Sequence, residues 1–158
     1  MSLPEQTRFA FADAVPLAAV CEAFNRGFSD YKYGVQFDET QMERFLERSG
    51  VLRENSAVML ARGEHGWHGA GLALMGLDEQ CHAWCSGLAV VPELRNRGHA
   101  RTLIEMIQQK ASERGAVSMQ LEVLVHNAPA LHLYRRLGYT ARRDLLFWRA
   151  TPETLVPS

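Results

Sequence analysis

The apolar positions of the chain change period several times along its length. The stretches "SAVMLAR" (56–62) and "WHGAGLALMGL" (67–77) read as two strands joined at the turn "GEHG". "CHAWCSGLAVVP" (81–92) reads as a third strand, with Gly87 a bulge or a point of close approach. Before them, Leu17, Val20, Cys21, Phe24 and Phe28 recur at helical spacing, with Asp13 as the expected N-cap and Gly27 at the end. A second short helix is expected from Asp38 or Thr40 to about Gly50, with Phe45 and Leu46 inward.

Beyond Val91 the period becomes helical again. Ala100, Leu103, Ile104, Ile107 and Ala111 form one stripe, predicting a helix over about Arg97–Arg114 closed by Gly115. Met119, Leu121, Val123 and Val125 alternate as a strand. Asn127 opens a further helix, with Pro129 in its first turn and the stripe Ala130, Leu133, Tyr134 and Leu137, and Gly138 ends it. Arg8–Phe11 predicts a first strand and "YTARRDLLFWRA" (139–150) a last one. The order predicts an α+β or mixed α/β fold with helices on both faces of one sheet. Its final β–α–β unit should be a right-handed parallel crossover.

Length suits one domain, residues 1–150, with 151–158 as a tail. A net charge of -1 argues against general nucleic-acid binding, while leaving room for a local basic pocket. The start lacks a basic segment before its apolar part, and no apolar run is long enough to span a membrane. Neither a signal peptide nor membrane attachment is therefore expected. Cys21, Cys81 and Cys85 do not form a disulfide framework, which points to a reducing cytoplasm. A metal site is not expected either. On an extended strand Cys81 and Cys85 stand about 13 Å apart, beyond the reach of one ion.

The chemistry concentrates in "VVPELRNRGHAR" (90–101), where a strand runs into a helix. A helix N-terminus offers unpartnered N–H groups and a partial positive charge, and a phosphate fits there. Gly98 lets the backbone approach such a ligand and small Ala100 keeps the first turn open, with Arg95, Arg97 and Arg101 adding donors. The residues read as a diphosphate site. The pattern is neither the nucleotide loop ending in Gly-Lys-Ser/Thr nor the three-glycine dinucleotide fingerprint.

Arg95-x-x-Gly98-x-Ala100, preceded by Leu88-x-Val90-x-Pro92, resembles the Gln/Arg-x-x-Gly-x-Gly/Ala signature of the GCN5-related N-acetyltransferase superfamily. "LEVLVHNAPALHLYRRLGY" (121–139) resembles that superfamily's Asn…Leu-Tyr-x-x-x-Gly-Phe block, and "LEV" is similar to ribosomal-protein alanine acetyltransferases. The resemblance spans roughly Trp84–Tyr139 and implies a sheet of six to seven strands. It also implies acetyl-CoA as cofactor and a small-molecule or peptide amine as acceptor. Dimers are common in the superfamily, so a homodimer is compatible.

The resemblance also implies site residues. The amides of Arg97, Gly98, His99, Ala100 and Arg101 would bind the pyrophosphate, with Arg95 wrapping it. The backbone of Leu88 and Val90 would pair with the pantetheine arm, the Leu88 N–H serving as oxyanion donor. Asn127 would help hold the cofactor, a role compatible with an N-cap. Tyr134 would protonate the leaving thiolate; its place on the apolar stripe equally suits a core tyrosine. Glu122 would be the base, or a glutamate bonded to a strand neighbour. Trp84 stands where histone-type members carry their glutamate. In "FSDYKYGVQF" (28–37), Phe28, Tyr31 and Tyr33 would wall the acceptor, with Asp30 and Asp38 near for a cationic amine; the bland reading is a satellite hydrophobic cluster. The alternative function is a non-catalytic CoA-binding or interaction module on the same fold.

Overall fold

A computed structural model describes residues 6–31 and 34–146. The chain divides into two units, Met1–Glu122 and Val123–Ser158. The first holds a sheet of five strands in the order β1-β2-β3-β4-β5: Thr7–Phe11, Ala57–Gly63, Gly66–Leu77, His82–Val90 and Ser118–Leu121. The first four form an antiparallel meander, and β5 runs parallel to β4. The helices of this unit are α1 (Leu17–Gly27), α2 (Glu39–Arg48) and α3 (His99–Glu113).

The two faces of the sheet are covered by different helices. Val20, Cys21, Met42 and Leu46 from α1 and α2 pack on Val58, Leu60, Leu72 and Leu74. On the other face, Leu103 of α3 meets Gly71 and Met59. The alternation of β3 serves both sides at once, as a strand covered on each face requires. α1 comes down close enough that a side chain on Gly69 would collide with the carbonyl of Ala19. The Gly69 amide instead donates to Glu22 at 2.9 Å.

Two extra residues break the ladders. The β2–β3 register shifts between Met59 and Leu60, leaving Ala70 unpaired, and the β3–β4 register shifts between Leu74 and Met75, leaving Ser86 unpaired. Each bulge flips which side chains face which helix. Before Ser86, Trp84 faces the α2 side, where its indole N–H donates to the Ser49 carbonyl at 3.2 Å. After Ser86, Gly87 and Ala89 face α1, against Phe28 and Gly27.

Several expectations change. α1 has Pro16 rather than Asp13 at its N-cap, with Ala12–Ala14 forming a separate 3₁₀ turn. Proline presets the φ of a helix start, which a free aspartate does not. β5 stops at Leu121 instead of continuing to Val125, which is 83% exposed. The described part of the expected last strand, residues 139–146, carries no strand, and 147–150 lie outside the described residues. The sheet among the described residues therefore has five strands rather than six or seven.

The second unit contains α4 (Ala128–Arg136). The Asn127 side chain caps it, accepting from the Ala130 amide at 3.3 Å. Gly138 at φ +91° takes the left-handed position that follows a helix end.

Candidate active site

β4 pairs with β5 only from His82 to Cys85. Past that point it loses its neighbour, and the extra residue Ser86 sits where the two strands part. The direction of the freed backbone follows from the ladder on the other side. The Val91 amide donates to the Ala70 carbonyl at 2.9 Å. Antiparallel pairs alternate between bonded and non-bonded, so Gly71–Val90 and Ala73–Leu88 are the non-bonded ones. The N–H and C=O of Leu88 and Val90 thus point away from β3, into the side that β5 has vacated. Among the described residues neither amide donates to another backbone carbonyl outside the sheet. The Val90 carbonyl accepts from Arg95 Nε at 2.9 Å.

This open edge leads through a 3₁₀ turn at Pro92–Leu94 into the start of α3. Asn96 at φ +62° and Gly98 at φ +81° both take left-handed conformations, which turn the chain sharply. Gly98 is the N-cap residue and no side chain caps the helix. The first intrahelical bond is from Thr102 to the Gly98 carbonyl at 3.2 Å. The amides of His99, Ala100 and Arg101 consequently have no helical acceptor. A side chain at Gly98 would meet nothing within 4 Å, so the space over this turn is open. Partial positive charge, three amides and an open approach match what an anion requires.

The three arginines of the motif behave differently. Arg101 is exposed and pairs with Glu105 at 2.9 Å. Arg97 reaches the Glu93 carbonyl at 3.3 Å. Arg95 is committed to the protein. Besides Val90 it donates to both carboxylate oxygens of Asp30, at 2.5 and 2.8 Å, and to the Gly27 carbonyl at 3.0 Å. The Arg95 hydrogen bonds beside Asp30 hold that carboxyl below the usual carboxylate range, and Asp30 in turn raises Arg95.

Phe28 and Tyr31 stand at the end of α1, with ring centroids 5.0 Å apart and edge to face. Phe28 comes within 3.6 Å of where a side chain at Gly87 would begin, so it overlies the open part of β4. Tyr33 lies outside the described residues. The two carboxylates expected to serve a cationic amine are already in use. Asp30 is held by Arg95, and Asp38 caps α2, accepting from Gln41 N at 2.8 Å. Phe24, Phe37 and Phe45 form the hydrophobic cluster behind, with Phe24 centroids 5.2 Å from Phe37 and 5.3 Å from Phe45.

Glu122 is exposed and follows directly on β5. The parallel register brings Leu121 opposite Cys85, so Glu122 comes level with the bulge residue Ser86. By alternation it shares the face of Gln120 and Trp84, the face that α1 and α2 cover. Nearby, a recess of about 240 Å³ is lined by Asp78, His82, Ala83, Trp84 and Gln120. Cys85 is no candidate nucleophile, because burial pushes its thiol up to about 12. In the second unit, Tyr134 is the buried residue of α4, its ring edge-on to Tyr139 at 5.7 Å.

Three structural residues escaped the sequence reading. Gly27, read as an end marker, is small because Ala89 presses on it. Arg26 pairs with Glu93 at 2.5 Å. Trp84 fills the space over Gly76 and Gly50. Each has a partner at least 34 residues away, Ala89 for Gly27, Glu93 for Arg26 and Gly50 for Trp84, which periodicity cannot show.

A sheet that forks after four parallel pairs, with a bare helix N-terminus at the end of the open strand, fits one class of protein. The chain belongs to the acetyltransferase (GNAT) family, whose model matches residues 17–139. It is similar to the streptothricin acetyltransferase of Streptomyces lavendulae, 44% identical over 52 residues. It is also similar to the [ribosomal protein bS18]-alanine N-acetyltransferase of Salmonella typhimurium, 40% identical over 71 residues. These stretches cover 33% and 43% of this chain, and 28% and 46% of those relatives, so less than half of either relative is matched. Among solved structures the fold resembles the NatC complex bound to Gag peptide and CoA, with a TM-score of 0.72, 17% identity and 87% of each chain covered. The ribosomal-protein-S18-alanine N-acetyltransferase from Escherichia coli has a TM-score of 0.64 at 20% identity, covering 87% of this chain and 80% of that one. Among the described residues no helix is long and apolar enough to cross a membrane.

Proposed function

We propose that the chain transfers the acetyl group of acetyl-CoA to a primary amine, on a small molecule or a peptide N-terminus, by direct attack in a ternary complex. The observation that carries this is the continuous path of free backbone donors from Leu88 and Val90 to the amides of His99–Arg101. Acetyl-CoA supplies an activated thioester and a diphosphate. The α3 amides hold the diphosphate, with Arg97 and Arg101 adding charge. The Val90 amide holds the pantetheine arm as an added strand would be held. The Leu88 amide faces the negative charge that develops on the thioester oxygen.

Phe28 and Tyr31 wall the acceptor over Gly87, and Glu122, level with the fork, takes the amine proton. Tyr134 returns a proton to the departing thiolate, a phenol being protonated at neutral pH. Asn127 combines its cap with cofactor contact. A relay through an acetyl-cysteine is disfavoured: burial pushes the Cys85 thiol well above its ordinary range, so little thiolate is present at neutral pH.

The test is thiol release from acetyl-CoA with a panel containing an alanyl peptide, a polyamine, an aminoglycoside and free amino acids. Release with at least one amine is expected. Replacing Tyr134 by Phe should then lower turnover at saturating acetyl-CoA about 10²-fold, the low end of a positioned acid, with little change in CoA affinity. CoA binding without release on any amine would favour the non-catalytic module. Unchanged turnover in Tyr134→Phe would remove the tyrosine from the mechanism.

A further inference from the structure

The first arginine of the phosphate-binding turn contributes four of its five N–H groups to protein acceptors. Those acceptors come from two places. Val90 O is the last carbonyl of the open strand, while Gly27 O and the Asp30 carboxylate belong to the end of α1 and the residues just after it. The fork on Asp30 is bidentate, the geometry in which a guanidinium is most directional.

A second ion pair lies beside the first with its charges reversed. Arg26 of α1 meets Glu93 of the turn at 2.5 Å, and also donates to the Gly69 carbonyl at 3.3 Å. The α1 end thus presents a cation then an anion, four residues apart, and the turn presents an anion then a cation, two residues apart. Seated as it is, the helix satisfies both pairs at once, and reversing it on the turn would set like charges against each other. The residues seated by it are Phe28, over Gly87, and Tyr31, edge-on to Phe28.

We propose that Arg95 is a positioning residue for the amine acceptor. Through Asp30 it fixes the Phe28–Tyr31 wall against the open part of β4, and it leaves the diphosphate to the α3 amides, Arg97 and Arg101. The proposal rests on the reading of Phe28 and Tyr31 as the acceptor wall. It assigns Asp30 and Arg95 to one unit, so removing either should have the same effect, and removing both should add little.

Asp30→Asn, Arg95→Lys, Arg95→Gln and the Asp30→Asn/Arg95→Gln pair separate the possibilities. Arg95→Lys keeps the positive charge and loses the fork. CoA affinity by calorimetry should stay within about threefold of wild type in all four. Hydrogen exchange of the Tyr31 amide, which donates to Phe28 O at 3.1 Å, should quicken at least about tenfold in each, with core amides of β2 and α3 unchanged. With any amine accepted in the panel, KM for the amine should rise about tenfold and KM for acetyl-CoA stay level. Arg95→Gln weakening CoA tenfold or more while Asp30→Asn binds normally would overturn the proposal, because Arg95 would then be a phosphate ligand. So would unaltered Tyr31 exchange in Asp30→Asn. The binding and exchange measurements need no turnover, so they distinguish an Arg95 that holds the Phe28–Tyr31 wall from one that binds phosphate, apart from whether any amine is acetylated.

Discussion

Helices α2 and α3 begin in opposite ways. α2 starts with a complete capping box: the Asp38 carboxylate accepts from Gln41 N at 2.8 Å, and the Gln41 side chain accepts from Asp38 N at 2.9 Å. α3 starts at a left-handed glycine with no side-chain cap and open space above it. A cap at Asp38 typically contributes about 1 kcal/mol. α3 forgoes that contribution, and its unsatisfied donors are what an anion can use. One helix end has donors met by its own side chains; the other leaves three amides without a helical acceptor.

The sharpest way to break this comparison is Gly98→Glu. The carboxylate would lie over the three α3 amides, and CoA affinity should fall more than about 100-fold by calorimetry, the anion now competing for the same partial charge. Left-handed backbone with a side chain costs about 1–2 kcal/mol, so Gly98→Ala, which carries that strain without charge, is the control. Gly98→Ala should keep most of the affinity. Normal CoA binding in Gly98→Glu would remove the diphosphate assignment.

α4 lies between the two cases, being capped by Asn127 and also assigned to the cofactor. Asn127→Asp keeps the accepting oxygen and loses the amide donor. It should leave the melting temperature alone and weaken CoA about tenfold, the scale of one hydrogen bond in a site. Wild-type affinity would make Asn127 a cap and nothing more. The smallest effect belongs to Asp38→Ala. It should cost about 1 kcal/mol of stability in denaturant titration, with CoA affinity unchanged. A matching loss of CoA affinity would mean that the two helix ends are not independent.

Much of this was readable in advance, and the reasons differ by element. Asp38-x-x-Gln41 announces its own cap because all its partners lie within one turn. Arg95-x-x-Gly98 announces the α3 turn for the same reason. The commitment of Arg95 to Asp30 joins positions 65 residues apart, and a local motif cannot reveal it. The overlong β5 has a different cause. Val123 and Val125 keep the alternation of a strand, but the pairing of β4 with β5 ends at Cys85 and Leu121. Periodicity describes which side a residue would face; it does not say whether a neighbour is there. Asp13 failed as a cap because Pro16, three residues on, sets the helix start by geometry alone.

Ser86 can also be seen as a change of phase. The strand is in step with β5 for four residues; one inserted residue then shifts its count, so that the groups turned outward after it are those of Leu88 and Val90. Insertions of this kind are usually counted as irregularities in a sheet. Here a single residue of slippage separates a closed, fully mated edge from a slot. Deleting Ser86 should make the ladder regular while keeping Ala73 opposite Leu88, so the Leu88 and Val90 amides still face away from β3 and CoA affinity should survive; a deletion variant that folds but no longer binds CoA would show that the slot needs the extra residue itself.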